Sequence, residues 1–258
     1  MGQTEDLKQS EARKAREAAF HDNRYSDDPR RVLSRFYEAT HDSRRRFEEL
    51  RDAVPAGSSV LELGCGVNAM SFALAERGCN CTAIDISAEA VRQTADLAAK
   101  RGVEVEAVVA DAEATGLPDR SFDYVIGNSI LHHLDVGAVA KEIDRILAPT
   151  GQALFVEPLG VNPLINWYRD RTPDMRTPDE HPLLPADMTT LALNGAFEVD
   201  VEFCTLTQLA VPCLEQLAPV KVGAELLSKS LARIDKILLG SRSPLRWLAW
   251  TAVIRVRR

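Results

Sequence analysis

The stretch Val60-Leu-Glu-Leu-Gly-Cys-Gly-Val-Asn-Ala69 decides how the rest of the chain is read. Ser59 to Leu63 is a short apolar run of strand formers. Gly64 and Gly66 make a tight turn, and Ala69-Met-Ser-Phe-Ala-Leu-Ala75 opens a helical pattern. Strand, glycine turn and helix together present backbone N–H groups and a helix N-terminus to a nucleotide-like ligand. Glycine suits the turn because a side chain would keep the backbone away from that ligand. Gly64-x-Gly66-x-x-Ala69, with Asp85 about twenty residues on, also satisfies the dinucleotide fingerprint. The glycines alone therefore leave the ligand class open.

Glu62 narrows it. A carboxylate at the end of the first strand repels a pyrophosphate but suits a ligand carrying an ammonium and a sulfonium. S-adenosylmethionine is such a ligand and has no phosphate. On these residues the sequence resembles the class I S-adenosylmethionine-dependent methyltransferases, whose first motif is E/D-x-G-x-G-x-G. Glu62-Leu-Gly64-Cys65-Gly66 matches that motif, and Asn68 departs from it where a third glycine is expected.

The next strands carry further acids. Asn80-Cys-Thr-Ala-Ile-Asp85 reads as the second strand, and the two oxygens of Asp85 suit both hydroxyls of a ribose. Ile86 beside it can pack on adenine, and Ser87 is the better N-cap for the helix from Ala88 to Arg101, closed by Gly102. Val103 to Ala110 reads as the third strand. Asp111-Ala112 after it stands where the resemblance implies that the adenine edge is read. Leu117-Pro-Asp-Arg-Ser-Phe-Asp-Tyr-Val125 resembles the family segment that leads into the fourth strand.

That strand ends in Gly127-Asn128-Ser129-Ile-Leu-His132-His133, the loop that in this family lies beside the transferable methyl group. Asn128 lacks the Pro-Pro-aromatic continuation of amino-methylating DNA and protein enzymes. Imidazole titrates near neutral pH, so His133 or His132 can serve as a general base; packing and helix capping are the alternatives. Gln152 to Glu157 is the fifth strand. The resemblance covers Val60 to Val156, and its nearest type is the small-molecule enzymes of ubiquinone and menaquinone biosynthesis.

Glu157 stands at the carboxyl end of its strand, the edge where open α/β sheets bind ligands. A long non-periodic segment follows to Pro185, holding Trp167, Tyr168, Arg169, Arg171, Arg176, Glu180 and His181. Trp167, Tyr168, Arg176 and His181 are candidate substrate contacts. Glu157, Glu180 and His181 offer a base, or an arginine–carboxylate network that locks the loop. Their spacing matches no metal motif, so no metal is assigned. Ala196 to Phe203 reads as the sixth strand, Leu206 to Leu239 as apolar helices, and Trp247 to Val256 as an antiparallel last strand.

The expected fold is thus α/β: a seven-stranded Rossmann-like sheet, mostly parallel with an antiparallel last strand. A helical N-terminal cap and a helical insertion before the last strand complete it. Residues 1–56 form the arm and cap, 57–157 the cofactor half, and 158–246 the substrate-side loop and insertion. Glu11 to Phe20 reads as a solvated helix without chemistry, while Tyr25, Phe36 and Tyr37 are weak lid candidates.

A chain of 258 residues holds one large domain or two small ones, and its net charge of −7 argues against general nucleic-acid affinity. Cys65, Cys79, Cys81, Cys204 and Cys213 form no disulfide framework, which points to a reducing cytoplasm. No signal peptide or transmembrane-length apolar run is read. Peripheral membrane contact through Arg242, Arg246, Trp247 and Trp250 stays open, as does a monomer or a homodimer. The function expected is methyl transfer from S-adenosylmethionine to a small, possibly lipid-like molecule, with S-adenosylhomocysteine as product. The alternatives are a protein or RNA methyltransferase, or a cofactor-binding regulator.

Overall fold

A computed structural model describes residues 2–26, 40–173, 177–209, 224–240 and 243–258, without the side chains of 2–7, 24–26, 194 and 224–229. The strands are β1 (Ser59–Leu63), β2 (Asn80–Asp85), β3 (Val105–Val109), β4 (Phe122–Asn128), β5 (Leu147–Pro158), β6 (Glu198–Cys204) and β7 (Thr251–Arg257). The helices are α1 (Gly2–Ser26), α2 (His41–Asp52), α3 (Ser71–Ala75), α4 (Ala88–Arg101), α5 (Val136–Ile146), α6 (Pro163–Asp170), α7 (Pro185–Leu191) and α8 (Ala224–Leu238).

The strands form one seven-stranded sheet in the order β3-β2-β1-β4-β5-β7-β6. Pairing is parallel from β3 through β5, and β7 runs antiparallel to both β5 and β6. This is the expected architecture. A strand covered on both faces reads as a continuous apolar run, and in β1 Val60, Leu61 and Leu63 are all buried. The chain lays β1, β2 and β3 outward, then returns to place β4 on the other side of β1. That reversal opens a crevice beyond the carboxyl ends of β1 and β4, where ligands enter sheets of this kind.

Short polar side chains set where the helices begin. Ser87 Oγ accepts the Ala90 N–H at 3.1 Å, and Asp135 Oδ1 accepts that of Ala138 at 2.9 Å. Gly102, at φ +69°, closes α4 in the left-handed conformation that favours glycine. Asn162 accepts the Leu164 N–H at 3.0 Å and donates its amide to the Leu248 carbonyl at 2.6 Å. One side chain thereby starts α6 and ties it to the turn before β7.

Two segments differ from the sequence expectation. The stretch after Glu157 is not wholly irregular, because the Asn162 cap and Pro163 at the first helical position nucleate α6. The last strand starts at Thr251, since Ser243 and Pro244 fold the preceding residues into a 3-10 turn over Pro244–Leu248. Trp247 on that turn packs edge-on against Phe203, so it is spent within the fold. No helix among the described residues is long and apolar enough to cross a membrane.

Close packing at the crevice yields a stability prediction. A Cβ on Gly127 would lie 2.7 Å from Ile130 Cγ2 and 2.8 Å from the fully buried Phe155 ring. Gly127→Ala is expected to destabilise the protein by about 1–3 kcal/mol. The measurement is urea unfolding, where the midpoint falls while the slope is unchanged.

Candidate functional site

Buried carboxylates build the floor of the crevice. Glu62, wholly buried on β1, reaches across the glycine turn and accepts the Met70 N–H on Oε1 at 2.9 Å and the Ser71 N–H on Oε2 at 2.8 Å. It therefore braces the start of α3, and it does not line the cavity. Asp85 repeats the device one strand over, with Gly66 N–H on Oδ2 and Ser87 N–H on Oδ1, both at 2.9 Å. Gly64, at φ +66°, has no room for a side chain, since a Cβ there would meet Ile130 Cδ1 at 2.6 Å. Cys65 is buried in the turn, and burial beside Asp85 and Glu62 pushes its thiol far above its ordinary value. It is an inert packing group.

Glu157 shapes the opposite wall. Its Oε1 accepts the N–H groups of Ile130 at 2.8 Å and Leu131 at 2.9 Å, and its Oε2 meets His132 Nδ1 at 2.8 Å. That contact requires Nδ1 to carry the hydrogen, which leaves Nε2 as the lone-pair nitrogen. Burial holds the His132 pKa below its ordinary value against the pull of Glu157. Ser129 adopts φ +55°, a left-handed conformation uncommon for a residue with a side chain, and its N–H is held by the Val156 carbonyl at 2.8 Å. The loop is thus bent sharply, and His133 emerges on the cavity side.

The cavity encloses about 730 Å³ of open space, part of it continuous with solvent. Among the residues read from the sequence, Gly64, Asp85, Ile86, Asp111, Ala112, Asn128, Ser129 and His133 line it. Glu62, Cys65 and Gly66 do not, and His132 and Glu157 face each other in the core. Trp167 is half exposed under the Arg171 guanidinium, 4.0 Å from its ring, and Tyr168 on the same helix does not reach the cavity. His181 is exposed and donates only its backbone N–H, to the His132 carbonyl at 2.8 Å. Tyr37, Arg176, Phe36, Arg242, Cys213 and the Tyr25 side chain lie outside the described residues.

Helix α1 corrects the reading of a solvated arm without chemistry. It lies along the cavity mouth and supplies Arg13, Lys14, Glu17 and His21 to its wall. Arg13 donates to the His133 carbonyl at 2.6 Å and pairs with Glu113; Lys14 Nζ lies 2.5 Å from Asp111 Oδ2 and 2.9 Å from Glu113 Oε2. Arg16 forks onto Asp179 through two bonds of 2.8 Å. Glu17 bonds Thr177 and lies 3.2 Å from His133 Nδ1 and 3.5 Å from His21 Nε2. These partners hold the Glu17 carboxyl well below the usual range despite its burial. His133 is pushed down by burial, but the nearby carboxylates, Glu17 foremost, raise it above its ordinary value. The missed signal was the pattern Arg13-Lys14-x-x-Glu17-x-x-x-His21, which places these groups on one helix face.

Residues 61–155 match the family described as "Methyltransferase domain". The aklanonic acid methyltransferase DauC of Streptomyces sp. strain C5 is 34% identical over 148 residues, which is 55% of this chain and 62% of that protein. A ubiquinone biosynthesis O-methyltransferase of Pseudomonas fluorescens strain Pf0-1 is 36% identical over 103 residues, 39% of this chain and 44% of that protein. The chain therefore spans less than two thirds of the length of these curated relatives. Among solved structures, a geranyl diphosphate C-methyltransferase from Streptomyces coelicolor A3(2), solved with Mg2+, geranyl diphosphate and S-adenosylhomocysteine, superposes with a TM-score of 0.60. It shares 13% identity over 90% of this chain and 88% of that one. The match to the methyltransferase domain falls on the stretch whose motifs carried the resemblance.

Burial raises the Glu62 carboxyl to about 7, overcoming the pull of the two N–H groups it accepts. A carboxyl raised in the folded state binds its proton more tightly there than in the unfolded chain. Its contribution to stability is then full below the unfolded value near 4.5 and is lost as pH climbs through about 7. The stability advantage of the wild type over Glu62→Gln is expected to be larger at about pH 5 than at about pH 8. Urea midpoints at both pH values check this, and an equal advantage would show that Glu62 titrates like an exposed carboxyl.

Proposed function

We propose that the chain, whose residues 61–155 match a methyltransferase domain, binds S-adenosylmethionine and transfers its methyl group to a small hydrophobic acceptor. The observation that carries this reading is one cavity lined by Gly64, Asp85, Ile86, Asp111, Ala112, Asn128 and Ser129, with His133 in its wall. Asp85 keeps oxygen lone pairs for a ribose beyond the two N–H groups it already accepts. Asp111 and the Ala112 N–H suit an adenine edge, and Ile86 its face. The rest of the lining sets apolar Ile84, Ala110, Ile130 and Leu134 beside the polar groups of α1 and Glu113, and its apolar part suits a hydrophobic acceptor.

The acceptor we favour is an oxygen, in line with the name of the Pseudomonas relative. In the transfer its lone pair forms the bond to the methyl carbon as the sulfur–carbon bond breaks. The bonding electrons stay on sulfur, which loses its positive charge and leaves as S-adenosylhomocysteine; the acceptor's proton departs to a neighbouring group or water. Most of the acceleration comes from holding the two reactants in line in a space closed by α1. His133 is the histidine of the fourth-strand loop that faces the cavity, and we assign it to activation of the acceptor.

The macromolecular alternative is disfavoured by charge. Arg13 and Lys14 are engaged by Glu113 and Asp111 rather than open to phosphate, and the chain carries a net charge of −7. One contact favours a regulator that binds without transfer: Lys14 occupies the carboxylate assigned to adenine, so α1 and cofactor share Asp111. The four described cysteines are buried and free, which suits the reducing cytoplasm we propose as its location.

Saturation with S-adenosylhomocysteine at about a hundred times its Kd is expected to stabilise the protein by about 2.7 kcal/mol, read by thermal unfolding. Asp85→Asn should weaken that binding about ten- to a hundredfold. His133→Ala should leave it nearly unchanged and remove turnover with hydroxyl-bearing acceptors. Stabilisation by NAD alone would overturn the proposal.

A further inference from the structure

We propose that Glu17, His21 and His133 bind a divalent transition-metal ion, of the zinc or cobalt type, in the wall of the cavity. The inference rests on the reading of that cavity as the acceptor end of a methyltransferase site and adds the ion to it. Each residue offers one ligand atom, and the three atoms lie within 4.8 Å of one another. Two edges of that triangle are 3.2 Å, from Glu17 Oε2 to His133 Nδ1, and 3.5 Å, from Glu17 Oε2 to His21 Nε2. Zinc–ligand bonds of about 2.05 Å at tetrahedral angles give edges of roughly 3.3 Å, so these two edges fit atoms sharing one ion.

A second observation points the same way. Glu17 Oε2 and His133 Nδ1 are buried and face each other at 3.2 Å as an ion pair, without the alignment of a hydrogen bond. A shared cation would engage both lone pairs at once in place of that loosely aligned pair. Two imidazoles and one carboxylate also form the donor set of catalytic zinc sites that keep a fourth position open. Here all three residues line the cavity, so the open side faces the space assigned to the acceptor.

The surroundings are arranged for it. The other Glu17 oxygen is bonded by Thr177, which orients the carboxylate. The cations of α1 near Glu17 have their charge matched elsewhere: Arg13 and Lys14 by Glu113 and Asp111, and Arg16 by Asp179. Two ligands come from α1 and the third from the loop after β4, so the ion would also fasten the helix over the cavity. His132, His133 and Glu180 form a second convergent set. His132 Nδ1 there is committed to Glu157, and neither His132 nor Glu180 lines the cavity, so the first set is preferred.

The full chain, stripped with a chelator, would be titrated with Co2+ and followed by visible absorption, and with Zn2+ in competition with a chromophoric chelator. Stoichiometric uptake with the intense bands of tetrahedral cobalt is expected, weakened about 100-fold or more in Glu17→Gln and in His21→Gln but not in Glu180→Gln. Nitrogen-15 histidine spectra of the wild type give a readout that needs no variant. Zn2+ should shift His21 and His133 and spare His41, His132 and His181. No uptake, or uptake lost only in Glu180→Gln, overturns the assignment. S-adenosylhomocysteine binding measured on the same sample separates the two readings: cofactor binding without metal uptake sinks the ion alone, and metal uptake without cofactor binding sinks the methyltransferase reading.

Discussion

The site depends on a carboxylate that solvent does not reach. Glu157 is fully buried at the end of β5, and its two oxygens take the backbone N–H groups of Ile130 and Leu131 and the ring of His132. A buried carboxylate is tolerable only when its lone pairs are met, and here the loop after β4 meets them. The loop is therefore bent to the shape of the acid, with Ser129 in a left-handed conformation. The same demand turns His132 inward and its neighbour His133 outward. The division of roles between two adjacent histidines follows from which of them the acid captures.

Glu62 and Asp85 apply the device at the other wall. Each carboxylate accepts two backbone N–H groups that a tight turn leaves without partners. The acids thus serve first to hold the backbone of the crevice in shape. Asp85 has spare lone pairs on the cavity side, whereas Glu62 is sealed behind the turn. A residue can therefore match a cofactor motif and act on the cofactor only through the turn that it braces.

The sheet and the cofactor side were legible because their signals are local. A strand, a glycine turn and an acid at the next strand end occupy consecutive residues, and period and spacing reveal them. The acceptor side was not, because it is assembled from distant pieces. Glu17 and His21 stand more than a hundred residues from His133. Their helix reads as solvated because its polar face meets acids rather than apolar groups, and Asp111, Glu113 and Asp179 reveal themselves as its partners only in three dimensions. The short helix after Asn162 was hidden in a stretch rich in proline and arginine, although Asn162-Pro163 is a start signal. Trp167 and Tyr168 looked like substrate contacts because aromatics in a long loop often are, yet neither lines the cavity.

The boundary of the family match has a physical counterpart. The matched stretch, residues 61–155, contains the described residues read as cofactor contacts that line the cavity. Of the acceptor wall it contains His133, while Glu17 and His21 lie outside it. Cofactor recognition rests on turns that the sheet topology enforces, so a chain with this sheet keeps it. The α1 wall rests instead on a helix laid over the sheet's edge by paired charges, an attachment that can be redrawn without disturbing the core. A separation of this kind lets one sheet serve different acceptors. In the reading proposed for the cavity, α1 is then the element that sets the acceptor.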